Sequence, residues 1–221
     1  MPRPVRGVLF DLDGTLLDTA PDLAAALNAT LVHHGRPPLP FEVIRPHVSH
    51  GGRALIRLGF GLEPDDAGFA EVRDFFLDHY LAHIADATRP FEGMEGVMDA
   101  LERHGLPWGV VTNKPGWLTE PLMRALGLDQ RAAALVSGDT LPQRKPDPEP
   151  LLHACRQLGR AAESCVYVGD ALRDIEAARA AGMPALAARF GYVGADERPE
   201  NWGADALVDH PRDILAFLGL P

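Results

Sequence analysis

Asp11 and Asp13 stand two residues apart at the end of a short apolar run, residues 5–10, that reads as a buried strand. Side chains two apart on an extended chain share a face, so the two carboxylates leave the strand as a pair. Held that close they repel one another and attract a hard, oxygen-seeking cation such as Mg2+. Gly14 lets the backbone turn directly after them, and Thr15 adds a hydroxyl. Polar residues end other apolar runs downstream: Thr112-Asn113-Lys114-Pro115, and Gly169-Asp170-Ala171-Leu172-Arg173-Asp174. Between these two lies a proline-rich loop carrying Gln143-Arg144-Lys145-Pro146-Asp147-Pro148. Each alone is an ordinary polar turn. Chemistry needs them on one rim.

The elements that would bring them there can be read from periodicity. Leu23, Leu27 and Leu31 recur at four-residue spacing before Gly35 and predict an amphipathic helix over 21–34. Short helices are expected over 41–45 and 52–58, and a longer one over 65–84; nothing between 17 and 89 reads as a strand. From residue 90 onward strands alternate with helices. Strands are predicted at 108–113, 134–138, 165–170, 184–190 and 206–208, with helices at 94–103, 118–126, 149–158 and 172–181. Such alternation predicts an α/β fold, a doubly wound, mostly parallel sheet covered on both faces. Ligands in such sheets bind at the carboxyl ends of the strands. No GxGxxG or GxxxxGK[ST] is present, so the usual dinucleotide and P-loop signals are missing.

With 221 residues, 46% of them hydrophobic and 24% charged, the chain can bury a sizeable core. A net charge of -10 argues against a nucleic-acid partner, and no apolar run is long enough for a membrane helix. Residues 1–4 lead straight into a strand, which leaves no room for a signal peptide and predicts a cytoplasmic protein. Cys155 and Cys165 form no CxxC or Cys/His cluster and read as small buried apolar residues. Only two of the 21 basic residues are lysine, Lys114 and Lys145. In so arginine-rich a chain, a lysine hints at a place that wants a compact ammonium.

The string from Phe10 to Thr19, with the three later motifs in this order, resembles the four-motif signature of the haloacid dehalogenase-like hydrolases. The resemblance covers nearly the whole chain. It implies a Rossmann-like core of residues 1–16 and 90–221, with residues 17–89 inserted as a helical cap. It further implies Asp11 as nucleophile and Asp13 as general acid/base, with neighbouring negative charge helping Asp13 to keep a proton. Mg2+ would be held by Asp11, the backbone carbonyl of Asp13 and Asp170. Asp174 would bind it through water or orient the site, or simply cap a helix. Lys145 would pair with Asp11 and the phosphoryl oxygens, Thr112 would hold those oxygens or cap a loop, and Asn113 would support them. Lys114 fits a solvated lysine as well as a site residue, and Arg173 is expected to be exposed or paired with an acidic neighbour.

Within the insert, His47-Val48-Ser49-His50-Gly51-Gly52-Arg53 is the best candidate for substrate contact, with Ser49 to Arg53 as the contacting residues and its glycines opening a helix whose N–H groups suit an anion. Arg53 could clamp a carboxylate through its fork. His79 and His83 lie one turn apart without the Glu of HExxH and read as packing or surface residues; His33 and His34 read as an exposed helix end. Among capped members the chain is similar to phosphoglycolate phosphatases and to a sister group acting on N-acetylmuramic acid 6-phosphate. The implied partner is a small-molecule phosphate ester, with the chain a monomer or weak homodimer. A phosphomutase, a metal-free dehalogenase and a phospho-aspartate signalling module are the alternatives. The last two leave Asp13 without a task.

Overall fold

The computed structural model describes residues 5–221, so the expectation drawn from residues 1–4 lies outside the described residues. The fold is built outward from β1 (Gly7–Phe10), whose four residues are all buried. It lies between β4 (Trp108–Val111) and β6 (Cys165–Gly169), and the sheet continues to β5 (Ala134–Val136) on one side. On the other side follow β7 (Ala185–Ala188) and β8 (Ala206–Val208), giving the order β5-β4-β1-β6-β7-β8 with every pairing parallel. Strand order reverses at β1, which is where an open parallel sheet leaves a crevice at its carboxyl edge. Phe10 sits opposite Val110 and Val168, so the residues just past each strand emerge side by side.

Alternation along the strands separates two cores. Val8, Phe10, Val110 and Val168 face one side, while Leu9, Val111 and Tyr167 face the other. The first side is covered by α5 (Met94–Arg103), α6 (Gly116–Ala125) and α9 (Arg212–Leu218). The second is covered by α7 (Glu149–Leu158) and α8 (Leu172–Ala180). Both cysteines are free and buried in that second core, as expected of small apolar residues.

Residues 20–82 form four helices, α1 (Ala20–His33), α2 (Phe41–Ile44), α3 (Gly51–Phe60) and α4 (Phe69–Ala82), with a 3-10 turn at Arg45–His50. α1 packs along α4, and Leu27, Leu31, Phe76 and Tyr80 are among their buried residues. No strand was expected between 17 and 89, yet β2 (Leu17–Asp18) pairs antiparallel with β3 (Arg89–Pro90). Two residues per strand are too few for any periodicity to show. This ribbon ties the two ends of the helical segment together. Asp22, buried in the first turn of α1, reinforces it by accepting hydrogen bonds from the Ala87 and Thr88 N–H groups and the Thr88 hydroxyl. Among the described residues no helix is long and apolar enough to cross a membrane. His33 is exposed as expected, although its ring stacks on Phe75 at 4.0 Å, whereas His34 is half-buried.

Candidate active site

The polar ends of β1, β4 and β6 do converge. One carboxylate oxygen each of Asp11, Asp170 and Asp174 lies within 4.8 Å of the others, and all three side chains are buried. Gly14 makes this possible: it sits at φ +84°, and a Cβ there would collide with the Asp170 carboxylate. Asp170 is held by the Tyr192 N–H at 2.9 Å and, at 3.3 Å each, by the hydroxyls of Thr15 and Ser49. Burial, with Asp11 and Asp174 alongside, pushes its carboxyl up to about 7. Burial likewise raises the Asp11 carboxyl, although Lys145 opposes the shift.

Lys145 is the cation at the centre. Its Nζ lies 2.9 Å from Asp11 Oδ1 and 2.8 Å from Asp174 Oδ1, and donates to the Tyr167 hydroxyl at 2.7 Å. Tyr167 passes the chain on by donating to the Val111 carbonyl. Asn113 fixes the lysine's backbone from both sides, accepting from the Lys145 N–H at 3.0 Å and donating to its carbonyl at 2.9 Å. Asp174 caps a helix and also pairs with Lys145. Its Oδ2 caps α8 by accepting from the Ala171 N–H, while its buried Oδ1 has the Lys145 ion pair but no aligned hydrogen-bond donor. Three converging hard oxygens, one of them short of a donor, fit a divalent cation. Asp11 and Asp170, the expected ligands, stand in this group, and Asp174, expected beside them, stands within it.

Asp13 turns away from that cluster. Its Oδ1 accepts from the Thr19 hydroxyl at 2.7 Å and from Lys114 Nζ at 3.0 Å. Its bonded neighbours are thus a hydroxyl and a cation. Lys114 resolves toward the site rather than solvent, with a side chain only 7% exposed. It also donates to the Tyr80 hydroxyl of α4 at 2.8 Å and lies 4.5 Å from that ring's centre. Burial works against the ammonium, but Asp13 and Tyr80 outweigh it and raise Lys114 above the ordinary lysine range. Burial pushes the Tyr80 phenol up to about 12. Thr112 is buried, and its oxygen accepts from the Lys114 N–H at 3.1 Å, so it does cap its loop.

Arg173 is not an exposed helix residue. Its guanidinium lies 4.0 Å from Asp11 Oδ2 and donates to the Ser49 carbonyl and hydroxyl at 2.9 and 3.2 Å. Burial disfavours its charge, but Asp174, Asp11 and Asp170 outweigh burial and hold it firmly protonated. Arg173 and Lys114 therefore bridge the sheet rim to the helical segment.

Above Asp11 opens a cavity of about 990 Å³ between the rim and the helices. Asp13, Thr112, Asn113, Lys114 and Arg173 line it from the rim, and Ser49, His50, Gly51, Gly52 and Arg53 from the helical side. Of the expected stretch 47–53, residues 48–53 thus reach the same space, and His47 does not line it. His79 and His83 do not line the cavity; their rings lie tilted to one another with centroids 4.7 Å apart, and His83 pairs with Asp86.

Residues 8–188 match the model of the haloacid dehalogenase-like hydrolases, and the chain belongs to that family. Among its relatives, an N-acetylmuramic acid 6-phosphate phosphatase of Pseudomonas aeruginosa is 46% identical over 97% of this chain and 95% of its own length. A phosphoglycolate phosphatase of Xanthomonas campestris pv. campestris is 48% identical over 95% and 94%. The crystal structure of a predicted phosphoglycolate phosphatase from Haemophilus somnus superposes with a TM-score of 0.85 at 27% identity, covering 96% of this chain and 97% of that one.

Proposed function

We propose that the chain is a Mg2+-dependent phosphomonoester hydrolase acting through an aspartyl phosphate on a small carboxylated phosphate ester. The observation that carries this reading is the meeting of Asp11, Asp170 and Asp174 beneath the cavity, with Lys145 bridging the first and the last. Asp11, the Asp13 carbonyl and Asp170 would hold the ion, with Asp174 beside them. When bound, the ion neutralises charge between the carboxylates and the phosphoryl oxygens.

The chain's own groups do the rest. Lys145 and the Leu12 N–H engage Asp11 Oδ1, which leaves Oδ2 facing Arg173 as the oxygen open to phosphorus. Asp11 attacks and the ester oxygen leaves, taking a proton from Asp13. Asp13 then removes a proton from the water that hydrolyses the acyl phosphate. Arg173 and the Thr112 hydroxyl steady the phosphoryl oxygens. Residues 17–89 act as a cap over the core of residues 1–16 and 90–221, an assignment that the β2–β3 ribbon supports. A cytoplasmic monomer or weak homodimer completes the reading.

The family resemblance puts 2-phosphoglycolate first among substrates. The cavity favours a second, N-acetylmuramic acid 6-phosphate, because about 990 Å³ exceeds what a two-carbon ester fills. Phosphate release from both esters should need Mg2+ and stop in EDTA. In Asp11→Asn it should fall at least about a thousandfold while the circular dichroism spectrum is unchanged. Near-normal turnover in that variant rejects the mechanism.

A further inference from the structure

The phosphoryl chemistry uses only the inner end of the cavity. Resting on the phosphatase reading above, we propose that the outer part is a sugar-acid subsite: Trp117 stacks on a pyranose ring and Arg144 binds a carboxylate carried by that ring. The substrate class is then a phosphorylated sugar acid, not a two-carbon acid.

Trp117 is the second residue of α6 and lines the cavity, yet it remains 46% exposed. Among the described residues its ring stacks on no other ring or cation, and its indole N–H has no acceptor. The backbone beneath it is fixed. Leu118, next in the helix, is buried, and the Gly116 N–H donates to Asp139 Oδ1 at 2.8 Å. A rigid indole face turned to a cavity suits the C–H face of a sugar ring, which meets the negative π cloud with its positive hydrogens.

Arg144 reaches the same space from the loop before Lys145, where the Asn113 clamp holds the neighbouring backbone. Its guanidinium has no ion-pair partner among the described residues, whereas Arg73 in the same cavity is held by Asp74 at 2.6 Å. A free planar fork is matched by a carboxylate, which it can bind through two parallel hydrogen bonds.

The cavity's size is not a matter of the helices standing off the rim. The Tyr80–Lys114 and Ser49–Arg173 bridges are formed while the volume stays near 990 Å³. That is the upper end of the about 300–1,000 Å³ typical of small-molecule sites. A ring-sized ester seated at Asp11 reaches further across this space than a two-carbon one, and Trp117 and Arg144 both line it.

Four esters separate the contributions. N-acetylmuramic acid 6-phosphate has ring and carboxylate, N-acetylglucosamine 6-phosphate the ring alone, 2-phosphoglycolate the carboxylate alone, and glycerol 3-phosphate neither. The wild type should give its highest kcat/KM on the first. Trp117→Ala should lower kcat/KM about tenfold on both ring esters, mainly through KM, and leave the ringless pair within about twofold. Arg144→Gln should cost about tenfold on N-acetylmuramic acid 6-phosphate and little on N-acetylglucosamine 6-phosphate. Equal losses on ring and ringless esters, or a wild-type preference for 2-phosphoglycolate, would overturn the subsite. Calorimetry with Asp11→Asn reads it without turnover. Adding Trp117→Ala there should weaken the Kd for N-acetylmuramic acid 6-phosphate about tenfold, and an unchanged Kd overturns the proposal. Intact, Trp117-dependent binding with no hydrolysis of any ester would uphold the subsite and reject the phosphatase reading instead.

Discussion

Two sets of cations face one cavity and are built in opposite ways. At the sheet rim Lys145 has a buried side chain and three partners within 2.9 Å, two of them carboxylates. On the helical side Arg53 is exposed at the cavity edge and has no ion-pair partner among the described residues. A buried ion with fixed partners is in place before any ligand arrives, which is what preorganised charge stabilisation needs. An exposed arginine takes its order from the ligand, so it can select among ligands without disturbing the chemistry beneath. The two sets differ in readiness: charge at the strand ends is fixed before binding, whereas at the helical rim a ligand must order the cation.

The sharpest way to break this division is Lys145→Met. It leaves the Asp11 and Asp174 carboxylates buried without their shared cation. Removing one partner of a buried charge pair costs about 3–5 kcal/mol, to be read from urea unfolding of the metal-free protein. Activity should fall at least about a hundredfold, since the nucleophile loses its fixed cation. The corresponding Arg53→Met should shift stability by no more than about 0.5 kcal/mol. Similar destabilisation by both variants would mean that the two cations do not differ as claimed.

A second test uses pH. Burial first, then Asp11 and Asp174, raises the Asp170 carboxyl from 3.8 to about 7 in the fold. Without metal the folded state binds this proton more tightly than the unfolded chain does. The stability it contributes is therefore full below the unfolded pKa, near 4, and is lost as pH rises through about 7. A divalent cation competes with that proton. The rise in Tm on replacing EDTA by Mg2+ should thus be several degrees at pH 7.5 and much smaller at pH 5. A shift independent of pH would show that the ion does not bind at this rim.

Much of the rim was legible because Asp11 and Asp170 follow apolar strands, and a parallel sheet brings such ends together. Lys145 lies in the loop after β5, and its place at the rim came from the family resemblance. Other features depend on partners distant in sequence. Arg173 reads locally as exposed or acid-paired; its acidic partner proves to be Asp11, and Ser49, 124 residues away, also draws it in. Lys114 was ambiguous for the same reason, since Asp13 and Tyr80 reach it from two other segments. Its signal was rarity, for the chain's only two lysines both sit at this rim. The β2–β3 ribbon is too short for periodicity, and the seven residues of α9 leave barely two turns of pattern. The pairing of Asp13 with Lys114, 101 residues away, was likewise beyond local reading.

The smallest expected effect sharpens the comparison most. Arg53 lies in the first turn of α3, after the two glycines, on the wall facing the rim. If it reads a substrate carboxylate, it does so while solvated, and exposed ion pairs contribute only about 0.2–1 kcal/mol. Arg53→Ala should therefore lower kcat/KM for carboxylated esters by about fivefold at most, and for p-nitrophenyl phosphate by less. The loss should fall on KM, because an interaction made equally in ground and transition states leaves kcat alone. Equal losses on both classes of ester would show that Arg53 does not recognise the carboxylate. A loss in kcat as deep as that of Lys145→Met would place Arg53 within the reacting centre, and the separation of chemistry from choice would fail at the residue chosen to represent it.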